Sequence, residues 1–408
     1  MAPTILVLEQ EGIGPRVAEA RRRRGLTQEG LAHRIPCSKS LISQVERGAK
    51  PATPWFLAAV ARTLRIDVTE LTGQPYRGDT EPTDRIHAAI PQIRIAMNYW
   101  DVPPDLDAAP RPLTALQNDI RIVGRLLDKV DYLELGKRLP GLIEELSAIL
   151  HEATGTARRE AAELLMYAYV AAKSVAYRLG YIDLVSVAVE RATWAAQITD
   201  NPELNAFAAE ERCQVFFASS AYSVGLKFIE RAHREFDDLL AESESGLAIA
   251  GSMHLRSAIM AARDHKRKNE AWDYLAQAQE YAERTGDTNH YGLIFGPSNV
   301  RIHEVATAIE LDDPDEALRR SEGFEPAPDL PPERGSHHYI DLARAQLNAR
   351  QQQQAFESLQ EAERLSAQHT LNHPMARETA AALYRAHTRP PEKLRAMARR
   401  MKLHTILS

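Results

Sequence analysis

A short pattern recurs along the 408-residue chain from residue 185 onward: a small residue, then a hydrophobic or aromatic one, then alanine seven positions after the first. Its copies start at Val185, Gly225, Ala271 and Ala355, and less completely at Ala317, so the starts lie 40, 46, 46 and 38 residues apart. Small residues let paired helices approach closely, and stacked pairs bury a face that one pair cannot bury alone. We therefore predict stacked helix pairs, with an alanine-rich helical bundle as the alternative.

Almost all of the remaining sequence is rich in Ala, Leu, Glu and Arg, with apolar residues spaced three and four apart, which is typical of amphipathic helices. No alternating strand pattern or Asn-Gly hairpin turn stands out, so we predict an all-α fold. Loops or linkers are expected at the proline- and glycine-containing stretches 73–83, 102–112 and 325–332, with a helix over 84–99. The predicted domains are a small N-terminal domain at 11–72, a linker at 73–83, a helical-repeat body at 84–390 and a basic helix or tail at 391–408.

The charge is divided unevenly between these parts. Lys and Arg number 50 against 56 Asp and Glu, a formal net charge of −6. Residues 1–77 carry 12 basic and 7 acidic side chains, a net +5, so the rest carries −11. The overall balance argues against a protein that coats nucleic acid by bulk charge. Two cysteines, Cys37 and Cys213, are too few for a disulfide framework. With no signal peptide and no apolar run near the ~20 residues of a membrane span, we expect a cytoplasmic protein with no membrane contact.

The N-terminal domain has four well-marked helices. The first ends at Gly25, Thr27 caps the second, Ser38 caps the third, and the third ends at Gly48. The words GLTQEGLA, SKSLISQVERGAKP and LRIDVTEL together resemble the Cro and phage-repressor helix-turn-helix family, also called the XRE family. This resemblance covers about 60 residues and implies a five-helix domain. Pro36 stands where the family usually has glycine, which predicts a changed angle between helices two and three, and Gly30 replaces the usual helix former.

The resemblance implies that the third helix enters the major groove of duplex DNA. If the DNA contacts of the family are transferred by position, Gln28 would contact phosphate, and Arg47 and Lys50 would bind the flanking DNA backbone. Arg16 and the run Arg21–Arg24 would add phosphate contacts, although plain surface is an equal alternative for the run. The residues expected at base edges are Lys39, Ser40, Ser43 and Gln44, and Ser38 at the start of this helix is also expected to bind DNA. Because one recognition helix reads few base pairs, a homodimer on an inverted-repeat operator is expected.

The body resembles the tetratricopeptide repeat, and beyond that the helical-repeat domains of actinobacterial XRE regulators, through LIFGPSNVRIHEVATAIELDDPDEALR and YIDLARAQLNARQQQQAFESLQEAERL. More remotely it is similar to peptide-pheromone-responsive regulators, which implies a sensing or docking role. Registering the first helix of each pair against the repeated small residues predicts a ligand groove on the concave side. Its predicted lining is Tyr167, Val170, Ser174, Tyr177, Arg178, Gln214, Phe217, Arg256, Arg263, Asn299, His337 and Arg344. Aromatic, amide and guanidinium groups of this kind suit a peptide, a small molecule or a protein segment.

No pattern of catalytic residues appears in the sequence. There is no Gly-rich phosphate loop, no nucleophile elbow and no HExxH pair, so we expect neither an enzyme nor a bound cofactor. The histidines are scattered, and we expect His337 and His338 at the surface rather than in a metal site. The sequence thus predicts a DNA-binding transcriptional regulator whose repeats sense a ligand. The alternative is a DNA-tethered platform whose repeats hold a partner protein.

Overall fold

A computed structural model describes residues 12–76, 86–328 and 330–403. Within these ranges the chain is all-helical, and the sole β feature is an isolated bridge between Thr288 and Phe295. This confirms the predicted all-α class. Among the helices described, none combines the length and the apolar character needed to cross a membrane.

The N-terminal domain, called the head below, contains five short helices. They are α1 (Ile13–Arg23), α2 (Gln28–Ala32), α3 (Lys39–Glu46), α4 (Pro54–Leu64) and α5 (Val68–Thr72). The predicted caps are present: Thr27 Oγ1 accepts the amide of Gly30, and Ser38 Oγ accepts that of Leu41. Gly25 and Gly48 both have φ of +67°, which lets the chain reverse after α1 and α3. The turn around Pro36 is made without any positive φ between His33 and Ser38.

The rest of the described chain, called the body, is a series of helices joined by short turns. Its helices are α6 (Ile90–Ala96), α7 (Leu113–Asp128), α8 (Tyr132–Glu152), α9 (Gly155–Leu179), α10 (Ile182–Ile198), α11 (Pro202–Ala218), α12 (Tyr222–Ala241), α13 (Glu244–Arg263), α14 (Ala271–Thr285), α15 (Pro297–Glu310), α16 (Pro314–Ser321), α17 (Pro332–Asn348), α18 (Gln352–Leu365), α19 (Ala367–Asn372), α20 (Pro374–Ala386) and α21 (Glu392–Arg400). A 3₁₀ turn, Met97–Trp100, follows α6. Within the described residues, the predicted helix over 84–99 corresponds to α6 and this turn. Residues 84 and 85 lie outside the described ranges.

The recurring small residues lie where the two helices of each pair meet. All five pattern starts are buried, and they fall on α10, α12, α14, α16 and α18, the second helices of the pairs. At Gly225 a Cβ would come within 2.5 Å of Met260 Sδ and 2.9 Å of Phe216 Cβ, so this position accepts no side chain without rearrangement. The first helices α11, α13, α15 and α17 contact one another in sequence, and the pairs therefore stack into the predicted helical-repeat array.

The head packs against the body at several places. One continuous hydrophobic cluster joins head residues such as Phe56 to Phe356, Met375 and Leu394 of the C-terminal helices. Of the predicted linker, residues 73–76 lie against the body, where Arg377 stacks on the ring of Tyr76 at 3.9 Å; residues 77–83 lie outside the described ranges. The predicted C-terminal basic helix is α21, and residues 404–408 are not described. These contacts hold the head against the C-terminal helices of the body.

Candidate DNA interface and ligand groove

The α3 surface presents the polar side chains that the sequence predicts to meet DNA. Ser38, Lys39 and Ser40 are exposed at its start, while Ser43 and Gln44 are partly exposed one turn later. The opposite side of α3 is fixed, because Ile42 and Val45 are fully buried in the head core. Lys39 Nζ lies 3.5 Å from Glu29, and both side chains are more than 60% exposed, so this weak pair leaves the lysine free to exchange partners. The predicted base-reading face is therefore open to solvent.

A buried ion pair orients α3 against α1 and α2. The Arg21 guanidinium donates to both oxygens of Glu46, at 2.6 and 2.9 Å, and also to the carbonyl of Leu26. Gln28 Nε2 donates to Glu46 Oε2 at 2.8 Å. Burial opposes ionisation of Glu46, yet the hydrogen bonds from Arg21 and Gln28 outweigh it and keep its pKa below the ordinary value.

Two of the arginines that were expected to contact phosphate form hydrogen bonds inside the head. Arg21 is only 8% exposed, so the expectation that its guanidinium reaches DNA is wrong. Arg16 is partly buried and donates through Nη1 to the carbonyl of Thr72, and its phosphate contact stays a prediction. Gln28 has its amide engaged by Glu46. The sequence could not separate Arg21 from its exposed neighbours Arg22, Arg23 and Arg24, because only tertiary packing decides which of four arginines faces inward.

The two cations expected to flank the site differ in their surroundings. Arg47 is exposed, and its Nε donates to the Ser43 carbonyl at 3.2 Å, which keeps its guanidinium beside α3. Lys50 Nζ lies 3.2 Å from a carboxylate oxygen of Asp312, in the turn between α15 and α16. Lys50, which was predicted to contact phosphate, thus forms an ion pair with a carboxylate of the body.

The body and the head together border a cavity of about 350 Å³, within the range typical of ligand sites. First helices of successive pairs form most of its wall, and residues from the head, Val68, Thr69 and Gln74, form another part. We call this cavity the groove. The structure brings the following predicted ligand-binding residues to it: Ser174, Tyr177, Arg178, Gln214, Phe217, Arg256, Arg263 and His337.

The remaining predicted lining residues lie elsewhere. Tyr167 is nearly three turns before Tyr177 on α9, where its ring packs 6.3 Å from that of Phe207. Asn299 is 3% exposed in the first turn of α15, and His303, one turn further on, takes the place in the groove. Val170 packs against the hydrophobic core, and Arg344 lines a smaller neighbouring cavity of about 90 Å³. The predicted register thus agrees with the groove at the C-terminal end of α9, from Ser174 onward, and along α11 and α13, and it is displaced by one turn on α15.

Most charges around the groove are arranged as pairs. Lys173 bonds to Glu211, Arg178 donates twice to Glu333, and Arg256 reaches the fully buried Glu210 at 2.5 Å. In the adjoining cavity, Glu310 accepts from Arg263 and Arg344, both at 2.9 Å. Although burial disfavours its charged form, attraction to Arg178 holds the pKa of Glu333 far below the ordinary value. These pairs fix the guanidiniums in place and give the groove a rigid polar wall.

Four histidines lie at one end of the groove. Burial lowers the pKa of His303 and of His369 to about 3 and that of His373 well below its ordinary value, so these rings are neutral at pH 7. His337, His369 and His373 have ring nitrogens within 4.8 Å of one another, a set that could in principle hold a metal ion. The expectation of a surface position is wrong for His338, which is 1% exposed. His337 faces the groove.

Several groove residues were missed by sequence reasoning. Arg334 lies three residues before His337 on α17, and therefore on the same helical face; extending the predicted register by one turn would have found it. Lys173 directly precedes the predicted Ser174, Glu211 lies three residues before the predicted Gln214, and their pairing depends on the stacking of α9 and α11. His369 and His373 follow the last repeat, where no periodic signal exists.

Comparison with known proteins identifies the N-terminal part of the chain. Residues 13–72 match the family described as "Helix-turn-helix domain". No curated protein sequence matches the chain. Among solved structures, one match is Bacillus thuringiensis PlcR in complex with the peptide PapR7 and DNA, at 16% identity and a TM-score of 0.30, covering 67% of this chain and 95% of that one. The chain carries a helix-turn-helix DNA-binding domain at residues 13–72, followed by a helical-repeat body.

Proposed function

We propose that this protein is a sequence-specific transcriptional regulator that reads an operator through α3 and senses a ligand in the groove. The observation that carries the DNA-binding part is the surface of α3. Its inner face is buried and its capped start is fixed, while Lys39, Ser40 and Gln44 point away from the core. Lysine can pair with guanine and glutamine with adenine in the major groove. The proposal includes neither catalysis nor a cofactor.

The sensing part of the proposal depends on how the head meets the groove. Val68 and Thr69 of α5, with Gln74 just after it, form part of the groove wall. A ligand in the groove would therefore touch both the head and the repeats, and its binding would favour one arrangement of the two over another. This gives a direct physical route from ligand occupancy to the position of α3.

The same geometry favours a peptide or small molecule over a folded partner protein. The groove is partly covered by the head, and a volume of about 350 Å³ accommodates a few amino-acid side chains rather than a globular surface. Aromatic rings of Tyr177 and Phe217 offer apolar contact, while Gln214 offers an amide for a peptide backbone. We therefore prefer the sensor to the platform.

We further propose that the protein acts as a homodimer on an inverted repeat. A single α3 covers too few base pairs to specify an operator, and two-fold symmetric proteins place two recognition helices about one helical turn apart, or a multiple of it. The net +5 of residues 1–77 is modest, so sequence-independent attraction to DNA should be weak and sensitive to salt.

Genomic footprinting combined with native mass spectrometry tests this function. Lys39→Ala with Gln44→Ala should abolish specific footprints without unfolding the head, because both side chains lie outside its core. Lys227→Ala with Gln277→Ala, at exposed body positions, is the matched control and should footprint like the wild type. Retained specific footprints in the first double variant would refute the α3 assignment.

The sensing part predicts a ligand that co-purifies with the wild type and is lost with Ser174→Trp, which narrows the groove; unchanged co-purification would contradict it.

A further inference from the structure

One guanidinium in the groove has no partner. Among residues 12–76, 86–328 and 330–403, the Arg334 side chain makes neither a hydrogen bond nor an ion pair, and its Nε is buried. The adjacent carboxylate, Glu333, is occupied by Arg178. Burial lowers the pKa of Arg334, yet an arginine remains protonated at neutral pH.

The charge balance around the groove shows that Arg334 is the exception. Five cations of the groove and its neighbouring cavity each contact a carboxylate: Lys173, Arg178, Arg256, Arg263 and Arg344. The carboxylates that they contact also number five: Glu210, Glu211, Glu310, Glu333 and Asp341. These charges sum to zero, so Arg334 contributes one uncompensated positive charge. Arg334 is partly buried and its Nε is fully so; an unpaired charge in such a position is costly, and a bound anion would lower that cost.

Histidine ring nitrogens without hydrogen-bond partners line the same groove as Arg334. His369 is 6% exposed, and its buried Nε2 has no hydrogen-bond partner; the same holds for His373 Nδ1. Each neutral imidazole carries one N–H donor. His337 and His373 line both the groove and the smaller cavity, together with Arg334. An anion at this end of the groove would therefore meet a guanidinium and neutral N–H donors.

The alternative occupant of this histidine set is a metal cation. The ligand atoms of His337, His369 and His373 lie within 4.8 Å of one another, so the spacing alone admits an ion. The uncompensated charge of Arg334 beside them would repel a divalent cation, whereas it would attract an anion. Two described carboxylates lie near the set: Glu333 is held by Arg178, and Asp341 is held by Arg344 through one oxygen, while its other oxygen lies 3.5 Å from His337 Nε2.

We propose that Arg334, with imidazoles of the His337, His369 and His373 set, forms a binding site for an anionic oxygen group of the ligand. The group is a carboxylate or a phosphate, either of which accepts the paired N–H bonds of a guanidinium. The proposal rests on the proposed sensing groove and gives its ligand a chemical requirement. The arms of the test below distinguish the two sources of the anion.

Thermal unfolding of the full chain with simple anions tests the site. Sodium phosphate and sodium acetate are compared with sodium chloride at equal ionic strength. The site predicts that at least one of the two raises the unfolding midpoint above the chloride value, by about 2 °C near saturation. A response to phosphate alone identifies a phosphate site, and a response to acetate alone identifies a carboxylate site. No response to either anion overturns the proposal.

Two variants connect the response to Arg334. Arg334→Met should abolish the anion response and, because it removes an unpaired and partly buried charge, should unfold at the same or a higher temperature than the wild type without anion. Arg178→Met, which leaves Glu333 unpaired, should unfold at a lower temperature. An anion response that survives in Arg334→Met refutes the site. So does stoichiometric Zn²⁺ binding with a tetrahedral Co²⁺ spectrum in the anion-free protein. Footprinting by α3 needs no anion, so failure here is distinguishable from failure of the DNA-binding proposal.

Discussion

At the scale of single residues, Glu46 determines how firmly α3 is attached to the head. It accepts from Arg21 and Gln28, and its side chain is 5% exposed. Glu46→Ala would leave the Arg21 guanidinium buried without its carboxylate, and we expect a loss of about 3 kcal/mol of head stability. Hydrogen–deuterium exchange of α1 and α3 in the full chain measures this loss. Glu19→Ala, which removes the exposed pair with Arg23 on the same α1, is the control and should change stability by less than about 0.5 kcal/mol.

The same pair makes the head sensitive to acid. Because the folded state holds the pKa of Glu46 below its ordinary value near 4.5, the stabilisation is fully present above that value and is lost as the pH falls through the folded pKa. Exchange in α1 and α3 should therefore rise more steeply below pH 4.5 in the wild type than in Glu46→Ala. Equal acid sensitivity in the two proteins would show that other carboxylates control the transition.

At the scale of elements, a glycine sets how closely α1 approaches α3. A Cβ at Gly14 would lie 2.3 Å from the Val45 carbonyl oxygen, so Gly14→Ala must separate the two helices, and we expect a loss of about 1–3 kcal/mol. Gly124, inside α7, has open space where its Cβ would be. Gly124→Ala should stabilise the chain by about 0.5–1 kcal/mol, since alanine favours helix more than glycine does. Chemical denaturation of the two variants checks both signs, and a stable Gly14→Ala head would contradict the close packing.

Elements were predictable where their signals are local. Thr27, Ser38, Gly25 and Gly48 mark helix ends through their own side chains or φ angles, and all four behave as the sequence predicts. The repeat pattern likewise located the second helix of each pair, because small residues are needed wherever two helices touch. Groove residues were predictable on α9 and α11, where regular spacing carries the register. His369 and His373 were not, since they follow the last repeat and reach the groove only through the packing of α19 and α20 against α17.

At the scale of the whole molecule, the docking of the head onto the body was not predictable from the sequence. The proline- and glycine-containing stretch after residue 72 indicated a linker, and composition gives no sign that the head would share a core with the C-terminal helices. The docking depends on matching surfaces far apart in sequence, such as Arg62 donating to the Ser220 carbonyl across 158 positions. It has a functional consequence, because the same docking places α5 in the groove wall and Lys50 beside Asp312.

The contact between Lys50 and Asp312 predicts that the body weakens DNA binding by the head. Lys50 is predicted to contact phosphate, and a carboxylate 3.2 Å from its ammonium group lowers the positive potential that DNA would meet there. Asp312→Asn should therefore tighten operator binding about two- to fivefold at low salt, with a smaller gain at high salt. Asp312 has a φ of +62°, a conformation that asparagine also adopts readily, so the substitution removes charge without straining the turn.

Fluorescence anisotropy with operator DNA over a salt series measures the effect, and Asp315→Asn, at an exposed position three residues away, is the control. If both variants bind equally tightly, general charge accounts for the gain; if neither differs from the wild type, the Lys50–Asp312 contact does not restrain the head.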